Sequence, residues 1–140
     1  MPSTSCFHSI LAASALILVA GCGGGGSDAP PIGRVEGVVK MDGQPLPGVI
    51  VGFEPQGVSV GGPSNGRTDD QGHYELTYSN GTKGAIIGTH KVTITTPTEG
   101  PPPLGQKYKD PIPARYNSAS ELSQEVQAGA NVIDLELSSQ

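Results

Sequence analysis

The chain has 140 residues and a formal net charge of −5 at neutral pH. Its eight Lys and Arg residues are scattered from Arg34 to Arg115 and form no basic run. Binding to a nucleic-acid backbone needs clustered cations, so nucleic acid is not an expected partner. The length allows one small domain with a modest core.

The N-terminal segment has the pattern of a secretion signal. Residues 10–20 are apolar or small, and such a run is too short for a helix to cross a hydrocarbon layer of ~30 Å, which takes about 20 residues. It fits the apolar core of a signal peptide. The first ten residues lack Lys and Arg, which departs from the usual positive start of such signals. We expect residues 1–21 to be removed.

The residues around the predicted cleavage site resemble a bacterial lipobox. Val19-Ala20-Gly21-Cys22 places small residues directly before a cysteine. The resemblance implies a diacylglyceryl group on the Cys22 sulfur, and a membrane anchor through its acyl chains. It also favours the outer membrane, because Gly23 follows the cysteine where enterobacterial lipoproteins kept at the inner membrane have Asp. An ordinary secretory signal with a chance cysteine is the alternative interpretation.

Residues 22–33 are predicted to form a tether between the lipid and the domain. The stretch is rich in glycine, and a flexible coil of about 11 residues spans ~20 Å on average. Cys6 falls in the removed segment and Cys22 carries the lipid, so no structural disulfide is expected. The protein is therefore predicted to be membrane-anchored and extracytoplasmic.

The rest of the chain has the pattern of short strands separated by turns. Apolar residues alternate with polar ones, and Asp42-Gly43 is a strong hairpin signal because both residues tolerate positive φ. Residues 119–128 could be read as a helix, but their apolar stripe is poor and a strand is preferred. The predicted strands cover residues 35–40, 49–53, 74–78, 90–96, 122–127 and 132–137.

Six or seven short strands without a helical period predict an all-β fold. We expect a single Ig-like or transthyretin-like β-sandwich of about seven strands over residues 34–138. Its predicted core consists of Val35, Val39, Val49, Val51, Phe53, Leu76, Val92, Ile94, Ile133, Leu135 and Leu137.

The order of several motifs resembles the carboxypeptidase regulatory-like domain, a transthyretin-like sandwich found in small bacterial lipoproteins. The resemblance covers about residues 34–137 and implies an accessory role without catalysis. It also places residues 112–116 just before a final hairpin. Each motif is short, so the match lies in their order and spacing; the motifs are residues 35–39, 42–49, 68–74, 88–94 and 112–116.

Two metal sites are conceivable from residue types alone. Transthyretin-like sandwiches also serve dioxygenases whose iron is held by two Tyr and two His, and this chain offers Tyr74, Tyr78, Tyr108, Tyr116, His73 and His90. Those enzymes carry a close pair of histidines, which this sequence lacks, so packed tyrosines and solvated histidines are expected instead. Asp69-Asp70 lacks the alternating acids of a calcium loop. A plain turn is expected there, with Asp69 as its cap and Gly72 in the left-handed position.

No catalytic arrangement of nucleophile and base is recognisable. Aromatic side chains on which a sugar could stack are scarce, because the chain has no Trp and its only Phe beyond the signal is Phe53. Peptide binding by strand addition stays open, since it needs only a free sheet edge. We expect a non-catalytic module of the cell envelope, without cofactor or small-molecule substrate, that has a structural or binding role. The alternative is an accessory subunit of an envelope enzyme or transport complex.

Overall fold

The structure, a computed structural model, describes residues 29–57, 61–98, 100, 104–107 and 110–140. These residues form short strands and one 3-10 turn. In chain order they are β1 (Ile32–Met41), β2 (Gln44–Pro45), β3 (Ile50–Pro55), β4 (Ser64–Arg67), β5 (His73–Glu75), β6 (Thr77–Tyr78), β7 (Ala85–Ile86), β8 (Gly88–Thr95), the 3-10 turn (Ala114–Tyr116), β9 (Ser123–Val126), β10 (Ala130–Val132) and β11 (Leu135–Leu137).

The first sheet is built around β1. Its alternation buries Val35, Gly37 and Val39 and turns Arg34 and Glu36 outward. One edge of β1 pairs antiparallel with β7, β5 and β2, while the other pairs parallel with β10 and β11. The sheet is therefore mixed, with β1 at its centre.

The second sheet is antiparallel throughout, in the order β6-β4-β3-β8-β9. β3 and β8 form its centre, with a register from Ile50↔Thr95 to Pro55↔His90. Val51 and Phe53 on β3 and the facing residues of β8 are buried. The outer face carries Thr93 and Thr95, which alternate with these buried positions.

The two sheets pack face to face, which confirms the predicted all-β sandwich. Of the predicted core, Ile133 is only partly buried and packs against the cluster; the other members are buried. The sequence prediction left out four further core members: Tyr74, Ala85, Ile112 and Val126.

The strand predicted over residues 74–78 is divided between the sheets. β5 pairs with β1 in the first sheet, whereas β6 pairs with β4 in the second. Leu76, between them, is buried. An alternating pattern cannot reveal this crossing from one sheet to the other. Every second residue, Tyr74, Leu76 and Tyr78, is buried in both β5 and β6 and between them.

The predicted final hairpin is wrong, although residues 123–126 do form the expected strand. β9 pairs with β8 in the second sheet, and β10 pairs with β1 in the first. Asn131 holds this corner: its amide nitrogen donates to Gln127 O at 2.8 Å and Arg34 O at 2.9 Å, and its oxygen accepts from Gln127 N at 3.0 Å. The turn between β9 and β10 therefore links the two sheets instead of closing a hairpin.

The limits of the domain differ slightly from the prediction. β1 begins at Ile32, and Gly33 is buried, so two residues assigned to the tether belong to the sandwich. The turn after β1 is as predicted, with positive φ at both Asp42 (51°) and Gly43 (81°).

Ile133 and Asp134 interrupt the strand predicted over residues 132–137, since β10 ends at Val132 and β11 begins at Leu135. Ile133 O accepts a 2.6 Å hydrogen bond from the Tyr74 hydroxyl, and Asp134 Oδ1 accepts from Val38 N at 2.9 Å. A Cβ on Gly37 would lie 1.9 Å from Ile133 O. Glycine at position 37 therefore makes room for this carbonyl to reach the tyrosine.

Replacing Phe53 by alanine tests the core, because the ring is fully buried. Phe53→Ala should lower the free energy of unfolding by about 3–5 kcal/mol, measured by denaturant titration. Leu104→Ala is the control, since Leu104 is fully exposed. Equal stability of the two variants would contradict this core.

Replacing Tyr74 by phenylalanine tests the hydrogen bond from its hydroxyl to Ile133 O. Tyr74→Phe keeps the ring but leaves the Ile133 carbonyl without its donor, which should cost about 1–3 kcal/mol of unfolding free energy. Gly37→Ala should destabilise too, because its Cβ would overlap Ile133 O. A stability unchanged by both substitutions would rule out the arrangement.

Candidate functional site

The predicted lipidation site, Cys22, lies outside the described residues, as do residues 23–28 of the tether. Its modification stays a prediction from the sequence. Within the part of the chain that the structure describes, no helix combines the length and apolar character required to cross a membrane.

The two histidines that the structure describes lie on different sheets. His73 on β5 is exposed, with Nε2 3.7 Å from a carboxylate oxygen of Glu36. His90 on β8 is buried, so the expectation of solvated histidines is wrong for this residue. Its Nε2 lies 2.6 Å from Ile86 O, and because a carbonyl oxygen can only accept, Nε2 is the donor of this hydrogen bond. The ring packs against Phe53, with centroids 5.6 Å apart.

The described tyrosines are engaged in structural contacts. The Tyr78 hydroxyl accepts from Gly62 N at 3.1 Å, and the Tyr116 hydroxyl accepts from Ser138 N at 3.0 Å. Burial raises the pKa of Tyr74, and the negative charge of Asp134 raises it further. The phenolate that iron requires is thus disfavoured at Tyr74. Tyr108 lies outside the described residues.

The Asp69-Asp70 segment forms the predicted turn. Asp69 Oδ1 accepts from Gln71 N at 2.9 Å and from His73 N at 3.0 Å, and Gly72 has a φ of 76°. These two hydrogen bonds lower the pKa of the Asp69 carboxyl. The Asp69 side chain therefore caps the backbone. Over the described ranges of the chain, no three His, Cys, Asp or Glu residues are grouped as a metal site would require.

A cluster of charges covers the start of β1. Glu75 forms ion pairs with Lys83, at 2.6 Å, and with Arg34, at 3.4 Å. The contact with Lys83, followed by that with Arg34, lowers the pKa of Glu75. Because all three groups face solvent, this is a surface network that contributes little to stability.

A surface groove of about 970 Å³ lies beside β8. Thr93 and Thr95 form one side of it, and residues 110–118 form much of the other. Asp110 fixes that second side: its oxygens accept from Thr96 N at 2.9 Å, Thr96 Oγ1 at 3.0 Å and Ile112 N at 2.9 Å. No local pattern in the sequence indicates this groove.

The lining of the groove mixes apolar and hydroxyl groups. Its lining combines Thr and Ser hydroxyls with prolines and Ile112, a mixture of apolar surface and a few polar groups that is typical of ligand sites. Asp110 is occupied by backbone and threonine donors, and the Asn117 amide donates to Ile112 O at 3.1 Å. Among the described residues, neither His73 nor His90 lines the groove.

Strand addition has a structural candidate in β9. This strand stands at the end of the second sheet and pairs with β8 along one edge. Ser123 and Glu125 are exposed there. A four-residue edge with a charged side chain is also how sandwiches protect themselves against unwanted pairing, so the edge alone does not identify a partner.

No protein-family model matches the chain, and no curated protein matches it. Among solved structures, the chain is similar to a DUF3823 family protein from Parabacteroides merdae, with 16% identity and a TM-score of 0.41. The match covers 77% of this chain and 46% of that protein, so this chain spans less than half of its length. Likeness at this level assigns neither a family nor a function.

The Asp69 turn predicts a pH-dependent difference between two neighbouring aspartates. Asp69→Ala should lower the melting temperature at neutral pH, because two backbone N–H groups lose their acceptor. Since folding lowers this pKa, the stabilisation is complete above the unfolded value of 3.8 and is lost as pH falls through the folded value. The deficit of Asp69→Ala should therefore shrink towards about pH 2.

The matched control for this experiment is Asp70→Ala, since Asp70 is exposed beside the same turn. Its melting temperature should follow that of the unsubstituted chain across the pH series. If Asp70→Ala produced the larger loss at neutral pH, Asp69 would not be the capping residue.

Proposed function

We propose that this chain is a lipid-anchored, non-catalytic β-sandwich protein that serves as a binding or structural module of the cell envelope. The observation that carries the proposal is the apolar run of residues 10–20, whose last two residues begin the sequence Val19-Ala20-Gly21-Cys22. Acylation of Cys22 would supply at least two chains, which anchor stably where a single chain binds marginally.

The position of the sandwich supports this anchor. β1 begins at Ile32, ten residues after Cys22. The six residues after Cys22 are four glycines, Ser27 and Asp28, which offer no apolar surface for packing. A short polar spacer between lipid and domain holds a module near a membrane without burying its surface.

The groove beside β8 supports a binding role within that proposal. Its mixed apolar and hydroxyl lining suits an uncharged polar ligand or a short chain segment. A catalytic role would need a nucleophile within reach of a base. His73 is paired with Glu36 on the first sheet, and His90 is inside the core, so neither histidine serves a nucleophile in the groove.

We further assign the sandwich to the carboxypeptidase regulatory-like type. The Asp42-Gly43 hairpin and the Asp69–Gly72 turn support this assignment, because they occupy the corners at which the resemblance places them.

Intact mass of the full chain expressed in a bacterial host tests the anchor. The expected product begins at Cys22, carries the mass of acyl chains, and stays in the membrane fraction. Cys22→Ala should abolish the lipid and release the protein from that fraction. Cys6→Ala is the matched control and should change neither, because residue 6 lies in the removed segment. An unmodified N-terminus, or membrane retention of Cys22→Ala, would contradict the proposal.

Elemental analysis of the purified full chain tests the absence of metal chemistry. We expect no stoichiometric iron, zinc or copper, and the same melting temperature with and without a chelator. His73→Ala is the informative variant, since His73 is exposed, whereas loss of the buried His90 would disturb the core. Stoichiometric metal that disappears in His73→Ala would revive the iron-site hypothesis.

The accessory-subunit alternative makes a different prediction. An enzyme or transporter purified from detergent-solubilised envelope would contain this chain in fixed ratio and would lose activity when the chain is absent. That outcome would mean that the chain acts as a subunit of a larger complex and not as an independent module.

A further inference from the structure

The sandwich has two distinct ends, which β1 connects. At the start of β1, Pro31 O accepts from Ile87 N at 3.0 Å and Arg34 N donates to Gly129 O at 2.8 Å. We call this end, formed by Pro31, Ile87 and the turn at Ala128-Gly129, the anchor end.

The opposite end gathers three segments around the end of β1. Val39 N donates to Gly72 O at 2.8 Å, and Ser139 N donates to Asp42 Oδ1 at 3.0 Å. We call the end formed by Asp42-Gly43, the turn at 69–72 and Ser139 the distal end. The ten residues of β1 separate it from the anchor end by about 30 Å.

The groove belongs to the distal half of the molecule. Thr95 lies at the end of β8 and pairs with Ile50, the first residue of β3. Ser139 lines the groove and is bound to Asp42 at the distal end. The opposite end of β8, at Gly88, pairs with Val126 near the anchor end.

The chain upstream limits how far the anchor end can move from a lipid on Cys22. Pro31 is fixed to Ile87, so nine residue steps join it to Cys22. Even a fully extended chain of that length reaches only about 30 Å. The anchor end thus stays within one domain length of the lipid, and the distal end can lie a further domain length away.

We propose that the sandwich stands with its anchor end towards the lipid surface and presents the distal end, with the groove, to the aqueous compartment. This inference rests on the proposed acylation of Cys22. Its consequence is that the groove faces away from the lipid surface.

Quenching by labelled lipid tests the orientation. The acylated full chain, carrying either Ala128→Cys or Asp70→Cys, is labelled with a fluorophore and placed in phosphatidylethanolamine–phosphatidylglycerol vesicles that contain a nitroxide headgroup lipid. Both positions are exposed turns, at the anchor and distal ends respectively. Quenching should be severalfold stronger at position 128. Equal quenching, or stronger quenching at position 70, would overturn the proposal.

The intact mass of the same samples shows whether a negative result refutes the orientation alone or the acylation of Cys22 as well. An acylated chain with equal quenching at both positions refutes the orientation and leaves the lipid anchor intact. A chain without acyl groups refutes the anchor and, with it, the orientation.

Discussion

The hydrogen bonds along both edges of β1 are the constraint on which the first sheet depends. β2, β5, β7, β10 and β11 pair with β1 and, among the described residues, with no other strand of that sheet. Each has only two or three residues, too few to be stable alone. β1 therefore holds in place segments that come from almost the whole length of the domain.

In the middle of β1, the backbone of Gly37 lies close to both the Ile133 carbonyl and the Tyr74 ring. Tyr74 lies opposite Gly37 in the register, and the missing side chain at Gly37 gives room to both groups. Asp134 then supplies Val38 N with the acceptor that a regular ladder would have taken from the main chain. Three polar groups are satisfied together where the strand is interrupted between β10 and β11.

Much of the sandwich follows from local patterns. Alternation predicts β1, β3 and β8, and Asp42-Gly43 predicts its turn, because these signals depend on neighbouring residues alone. The same alternation carried back from Val92 would have placed His90 inside, where the structure has it. The assignment of β9 and β10 to different sheets does not follow from a local pattern. It depends on Asn131 bonding Gln127 and Arg34, the latter 97 residues away in sequence, and no local pattern reports such a contact.

The groove escaped prediction for a related reason. Residues 110–118 have no apolar period, and side-chain bonds from Asp110 and Asn117 to the backbone fix their path. The Asp69 turn was predictable because its cap and its glycine are three residues apart in sequence. Local chemistry thus identifies turns and strands, whereas surfaces assembled from several segments require the fold.

Native-state hydrogen exchange of the full chain measures the role of β1 most directly. If β1 holds the first sheet together, the amides of Val38 and Val39 should exchange only through global unfolding, with an opening free energy equal to that from denaturant titration. Exchange of these two amides through a local opening, while the amides of β3 and β8 remain protected, would contradict the account.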